Sequence, residues 1–201
     1  VTDPNGDLDT NVAGRSTSRA RYAAPEDYVA FRLAQLVILL SEVAPASARG
    51  IDLERLGYYD FFAANPFVIF EPGDHLQHAQ LHHASFDERQ LSYASTGSRF
   101  ANRRKRLQHD VALLVSYGLA GPRGGGYGIT ANGIRFADSL SALYVDQYRE
   151  SVRVVHERLR RLSDPQLAQA SRRWLTTPSL LLDLYGSTDV DPYSGDNAGE
   201  L

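Results

Sequence analysis

Residues 98–133, SRFANRRKRLQHDVALLVSYGLAGPRGGGYGITANG, constrain the fold more than any other stretch. Phe100, Leu107, Val111, Leu114 and Val115 recur at helical spacing and predict an amphipathic helix. Ser98 can cap its start, because a serine hydroxyl accepts from a free N–H of the first turn. Gly118 suits its stop, since glycine enters the left-handed region without steric cost. Gly121, Pro122, Gly124, Gly125 and Gly126 then predict a tight turn. The apolar residues flanking that turn can pair as two short strands. Thr130 can cap a following helix.

A helix, a glycine-rich hairpin and a second helix, in that order, is the pattern of a winged helix-turn-helix unit. The expected fold class is therefore mainly α, with a small β-hairpin wing and a long C-terminal helix. Arg99, Arg103, Arg104, Lys105 and Arg106 crowd the front of the first helix, and Arg123 stands on the wing. These six are the candidate residues for binding a nucleic acid or an acidic partner. In one reading the helix enters a DNA major groove and Arg123 reaches a phosphate. In the other, the unit is a scaffold whose charges are solvated or meet an acidic protein. Arg104 points with the apolar residues, so it must snorkel or find a partner.

Charge sharpens the contrast. Residues 98–123 hold those six basic residues against Asp110 alone, a local net of +5 in a chain whose formal net charge is −3. The basic character is local, whereas free-standing DNA binders are commonly basic throughout. The absence of cysteine excludes disulfides, thiolate chemistry and cysteine-ligated zinc. It fits a reducing cytoplasm. The longest apolar run, residues 36–40, is too short to span a bilayer. The acidic, polar start of the sequence has no leader character.

Residues 1–24 carry almost no large apolar side chains and read as a disordered arm. Residues 25–175 read as the winged-helix domain with a helical extension. Pro25, Glu26 and Asp27 suit a first helical turn. The helix that follows is apolar nearly all round and belongs in the core. A second helix runs to Asn65 and Pro66. Its Tyr58, Tyr59, Phe61 and Phe62 either pack in the core or form a docking face, since aromatics concentrate at interface centres. Phe67, Val68, Ile69 and Phe70 fit a short strand or a buried extended run.

Four of the six histidines fall in residues 71–85, a segment with loop character. His75, His78 and His82 would share one face if it were helical, but no further ligand is evident, so solvated histidines and no metal are expected. Phe86 opens a short helix ending near Ala94, which would make a helix-turn-helix with the helix from Ser98. After the wing, one long helix is expected from about Ala131 to Leu162. Its stripe of Leu140, Tyr144, Tyr148, Val152, Val155, Leu159 and Leu162 calls for a partner, either a second copy or another protein. Tyr144, Tyr148, Val155 and Leu159 are its candidate docking residues. A last helix carries Trp174 as an anchor. Residues 176–201 form an acidic tail, expected to be flexible, whose apolar island around Leu180, Leu181, Leu182, Leu184 and Tyr185 can order on a partner.

DLERLGYYDFFAANPFVIF, FDERQLSYASTGSRFANRRKRLQHDVALLVSYGLA, YGIT with a glycine three residues on, and RLRRLSD together resemble the middle components of bacterial ABC-three-component, Lamassu-like conflict systems. The resemblance spans about residues 31–175. It implies a small winged-helix adaptor that works beside an SMC- or Rad50-like ABC ATPase and an effector in defence against phage or plasmids. It implies no cofactor and no catalytic residue, and the histidine-bearing segment 71–85 is not part of the resemblance.

No catalytic constellation appears: there is no G-x-S-x-G, no P-loop and no evident carboxylate pair. The two functions that remain are the adaptor and a dimeric winged-helix transcription regulator.

Overall fold

The computed structural model describes residues 25–43, 49–88 and 94–176. Within them lie seven helices and one two-stranded antiparallel sheet. The expected N-terminal arm and the tail beyond Thr176 lie outside the described residues.

A short 3-10 turn, Pro25–Asp27, leads into α1, Val29–Val43. Leu36, Val37, Ile38, Leu39 and Leu40 are all buried, as an all-round apolar helix must be when neighbours cover it on several sides. α2 is Leu53–Ala64, capped by Asp52, whose carboxylate accepts from the Arg55 N–H at 2.8 Å. Asn65 and Pro66 stop it. The next residues, Pro66–Ile69, form a 3-10 turn and not a strand, because Val68 and Phe70 close back on Asn65 and Phe67 through their N–H groups. Segment 71–85 is not simply a loop: it carries α3, His75–His83, a short polar helix in which Leu81 is the buried side chain.

α4 is Thr96–Ser116. Its cap is Ser95, not Ser98, and the Ser95 hydroxyl oxygen accepts from the Ser98 N–H at 3.2 Å. Ser95 has the extended backbone that an N-cap needs, while Ser98 already sits in the first turn. Leu107, Val111 and Leu114 face the core as expected. Val115 does not, because it stands one residue, about 100° of rotation, past Leu114. The helix ends in a Schellman arrangement, with Leu119 N–H on the Leu114 carbonyl at 2.9 Å and Gly118 N–H on the Val115 carbonyl at 3.0 Å.

The hairpin follows where the glycines predict it. β1, Ala120–Arg123, pairs with β2, Gly126–Ile129, in the register Ala120 to Ile129 and Arg123 to Gly126. Gly124 and Gly125 both have positive φ, 54° and 98°, the backbone of a two-residue loop that matches strand twist. Ile51, just before α2, exchanges two backbone hydrogen bonds of 2.8 Å with Tyr127 and so lies along the free edge of β2.

α5, Ala131–Ser139, is capped by Thr130, and it packs so tightly on the hairpin that a Cβ on Gly133 would stand 2.1 Å from the Leu119 carbonyl oxygen. The single long helix expected from Ala131 does not form. Leu140 and Ala142 are extended, and α6, Leu143–Leu159, starts afresh. The break lets α6 fold back along α1 and α2, so Val145, Tyr148, Val152, Val155 and Leu159 are buried against the chain's own core. A continuous rod would have left that stripe in water. Arg149 holds the corner, donating to the last-turn carbonyl of Ala137 at 2.7 Å and to Glu42 at 2.9 Å. α7, Asp164–Thr176, closes the unit, and Trp174 meets Phe62 edge-on with ring centroids 5.4 Å apart.

Candidate interaction surface on helix α4

The basic residues of α4 divide by depth. Arg103 points inward from its third turn and grips Asp60 of α2 with both arms, Nε to Oδ2 at 2.6 Å and Nη2 to Oδ1 at 2.8 Å. Its Nη2 also donates to Gln35 Oε1 at 2.7 Å. Burial pulls the Arg103 guanidinium down, but the Asp60 charge and hydrogen bonds outweigh this and hold it above the ordinary arginine value. A residue predicted to touch DNA or a partner is thus drawn into an internal tie, because α2 presents the buried Asp60 carboxylate in its reach. A second tie of the same form joins Arg32 of α1 to Asp110 of α4, at 2.7 and 3.0 Å. Hydrogen bonding to Asp110 raises the Arg32 guanidinium above its usual value despite burial.

The remaining positions are shallower. Arg104 reaches Glu54 at 3.7 Å and lies over the Tyr58 and Phe100 rings, each 5.9 Å away. Arg106 meets Asp27 at 3.5 Å. Arg99 is half-buried, is hydrogen-bonded to the Asn65 side-chain oxygen, and has no carboxylate in salt-bridge reach among the described residues. Desolvation lowers its guanidinium below the usual value. Lys105 is exposed and makes no ion pair among the described residues. Arg123 stands exposed at the end of β1, next to the hairpin loop.

Arg32, Arg99, Arg103 and Arg106 line a shallow cleft of about 310 Å³ with Asn102, Phe61, Glu26 and Asp27. Two of its guanidiniums are neutralised from below by Asp60 and Asp110, and Arg106 shares Asp27. Arg99 is therefore the cation of this cleft with most attraction to spare, and its guanidinium fork can take a carboxylate or a phosphate. Tyr28 and Val29 at the start of α1 and Leu143 and Tyr144 at the start of α6 are also exposed, Leu143 at 76 %. Phe31 and Tyr144 tie the two helix starts together, with ring centroids 5.1 Å apart.

The aromatic docking face expected on α2 is not available. Tyr58, Tyr59, Phe61 and Phe62 are buried, with Phe62 at 0 % exposure. They stack on Phe100, on His156 and on one another, so α4, α6 and α7 already occupy that face. Tyr148, Val155 and Leu159 are likewise core residues, and of the expected docking set only Tyr144 reaches the surface. Residues 86–88 are not helical, the rest of the helix expected from Phe86 lies outside the described residues, and α2 packs against α4.

Sequence reasoning missed Asp60 and Asp110 as interior counterions. A signal was present: Asp60 sits inside an aromatic run, and Asp110 falls between Leu107 and Val111 on the apolar face of α4. A carboxylate at a core position needs a cationic partner. No described helix is long and apolar enough to cross a membrane. Compared with protein-family models, curated proteins and solved structures, the chain matches none of them.

Proposed function

We propose that this chain is a non-catalytic winged-helix adaptor that joins an SMC- or Rad50-like ABC ATPase to an effector in an anti-phage or anti-plasmid system. Support for the winged-helix part is the order of elements: α1, the Ile51 edge, α2, α4 and then the β1–β2 hairpin, with α3 inserted between the helix pair. The observation that carries the adaptor part is where the α4 charges go. Arg103, Arg104 and Arg106 are engaged by the chain's own carboxylates, which leaves a weak phosphate-binding stripe. The cleft instead offers Arg99, and Tyr28, Val29, Leu143 and Tyr144 stand exposed at the starts of α1 and α6. An acidic segment with apolar neighbours, as on a protein partner, complements that combination.

The test is co-purification with an SMC-like ATPase encoded by a neighbouring gene, using the full chain, its Arg99→Ala/Leu143→Ser variant and its Lys105→Ala/Arg123→Ala variant. The adaptor reading expects the first variant to lose the ATPase and the second to keep it. A regulator would instead bind a specific duplex with steep salt dependence, and would lose it with Lys105 and Arg123. That outcome, or an ATPase that ignores the first variant, overturns the adaptor reading.

A further inference from the structure

We propose that α3 and the turn behind it bind one divalent transition-metal ion of the zinc class through His78, His82 and Glu88. The two histidines stand one turn apart on α3, so their rings rise from the same helix face. Glu88 approaches that face from the segment after the helix. Its Oε2 lies 3.8 Å from His78 Nδ1 and 4.0 Å from His82 Nε2, and the three donor atoms all lie within 4.8 Å of one another. Around a tetrahedral zinc, donors about 2.0–2.1 Å from the metal stand roughly 3.3 Å apart. Closing the remaining gap takes small side-chain rotations and no movement of the helix.

Two further contacts orient the donors. His78 Nε2 lies 3.1 Å from the backbone carbonyl of Glu71. A carbonyl only accepts, so Nε2 carries the proton and donates, which leaves Nδ1, the atom facing Glu88, as the ligand. A ligating histidine anchored through its other nitrogen on a carbonyl is the usual outer-shell arrangement of a metal site. Phe67 backs both rings, with centroids 5.3 Å from His78 and 5.0 Å from His82. His75 and His83, on the same helix, do not join the group.

The ligand set selects the metal. Two imidazole nitrogens and one carboxylate suit Zn²⁺ or Co²⁺, whereas Mg²⁺ and Ca²⁺ take mostly oxygen donors. Water completes the fourth position. The ion gives α3 a second anchor besides the buried Leu81, since a nine-residue polar helix is too short to be stable by itself.

The experiment uses the untagged full chain, dialysed against chelator. Co²⁺ is titrated by its visible d–d absorption and Zn²⁺ by calorimetry. One ion per chain is expected, with no competition from excess Mg²⁺ and a higher thermal midpoint in Zn²⁺. His82→Gln and Glu88→Gln should each weaken binding by at least about tenfold, the loss that even an outer-shell change produces. His75→Gln and His83→Gln should leave it unchanged. Absence of saturable binding, binding that survives both His82→Gln and Glu88→Gln, or equal losses in the two control variants would overturn the proposal.

Discussion

Arg103 of α4 and Asp60 of α2 form a two-armed ion pair inside the protein, 43 residues apart in the chain, with Gln35 of α1 on the same guanidinium. This arrangement makes three helices depend on one arginine. Removing Asp60 alone strands a cation whose side chain keeps only 13 % exposure, and Asp60→Ala should cost about 3 kcal/mol in urea unfolding. Replacing both partners with apolar residues, as in Asp60→Leu/Arg103→Met, should recover most of that loss. A double variant no more stable than Asp60→Ala would show that the pair is not a closed unit.

The same neighbourhood holds a hydroxyl without a hydrogen-bond partner among the described residues. Tyr148 Oη is buried there, while Tyr144 Oη accepts from Gln35 Nε2 at 2.6 Å. Tyr148→Phe removes a desolvated polar atom and should raise stability by about 1 kcal/mol. Tyr144→Phe removes an acceptor and should lower it by about as much. Paired denaturant titrations of the two variants read the opposite signs directly.

His156 supplies an acid-sensitive term. Burial pushes its imidazole below the ordinary value of 6.5, with Glu157 opposing, and its buried Nδ1 has no hydrogen-bond partner among the described residues. Folding therefore favours the neutral ring. The stability it contributes is full above about pH 6.5 and falls as pH drops toward the lowered folded value, because the unfolded chain takes the proton first. His156→Phe keeps a ring against Tyr59, 5.6 Å away, and cannot protonate. Its thermal midpoint should fall less than that of the unaltered chain between about pH 7 and about pH 5.

Gly133 is where α5 touches the hairpin. A Cβ there would meet the Leu119 carbonyl oxygen at 2.1 Å and Ile129 Cγ1 at 2.7 Å, and a backbone atom cannot rotate aside. Gly133→Ala should destabilise by about 2–3 kcal/mol despite the better helix propensity of alanine. Gly73→Ala is the control, since nothing lies within 4 Å of its added Cβ.

Much of the candidate surface was hidden from a reading of residue types. Six basic residues clustered on 98–123 suggest one binding stripe, yet Arg103 turns inward because Asp60 waits on a helix that the spacing does not reveal as its neighbour. The dense aromatics of α2 suggest docking, yet α4, α6 and α7 cover them. Neither outcome has a local signature, since each depends on which helices meet.

What the order of residues decided unaided is what acts over a few positions. Gly124 and Gly125 set the hairpin loop, Thr130 and Asp52 cap their helices, and Leu107, Val111 and Leu114 turn one face of α4 inward. Turns, caps and amphipathic faces need only neighbouring residues, so their energetics are complete within a turn or two. Folding in three dimensions decided the rest: the break between Ser139 and Leu143, the burial of the α6 stripe, and the partners of Arg103 and Arg32. Those depend on burying apolar area and pairing charge between segments far apart in the chain, and such terms exist only once the helices are packed.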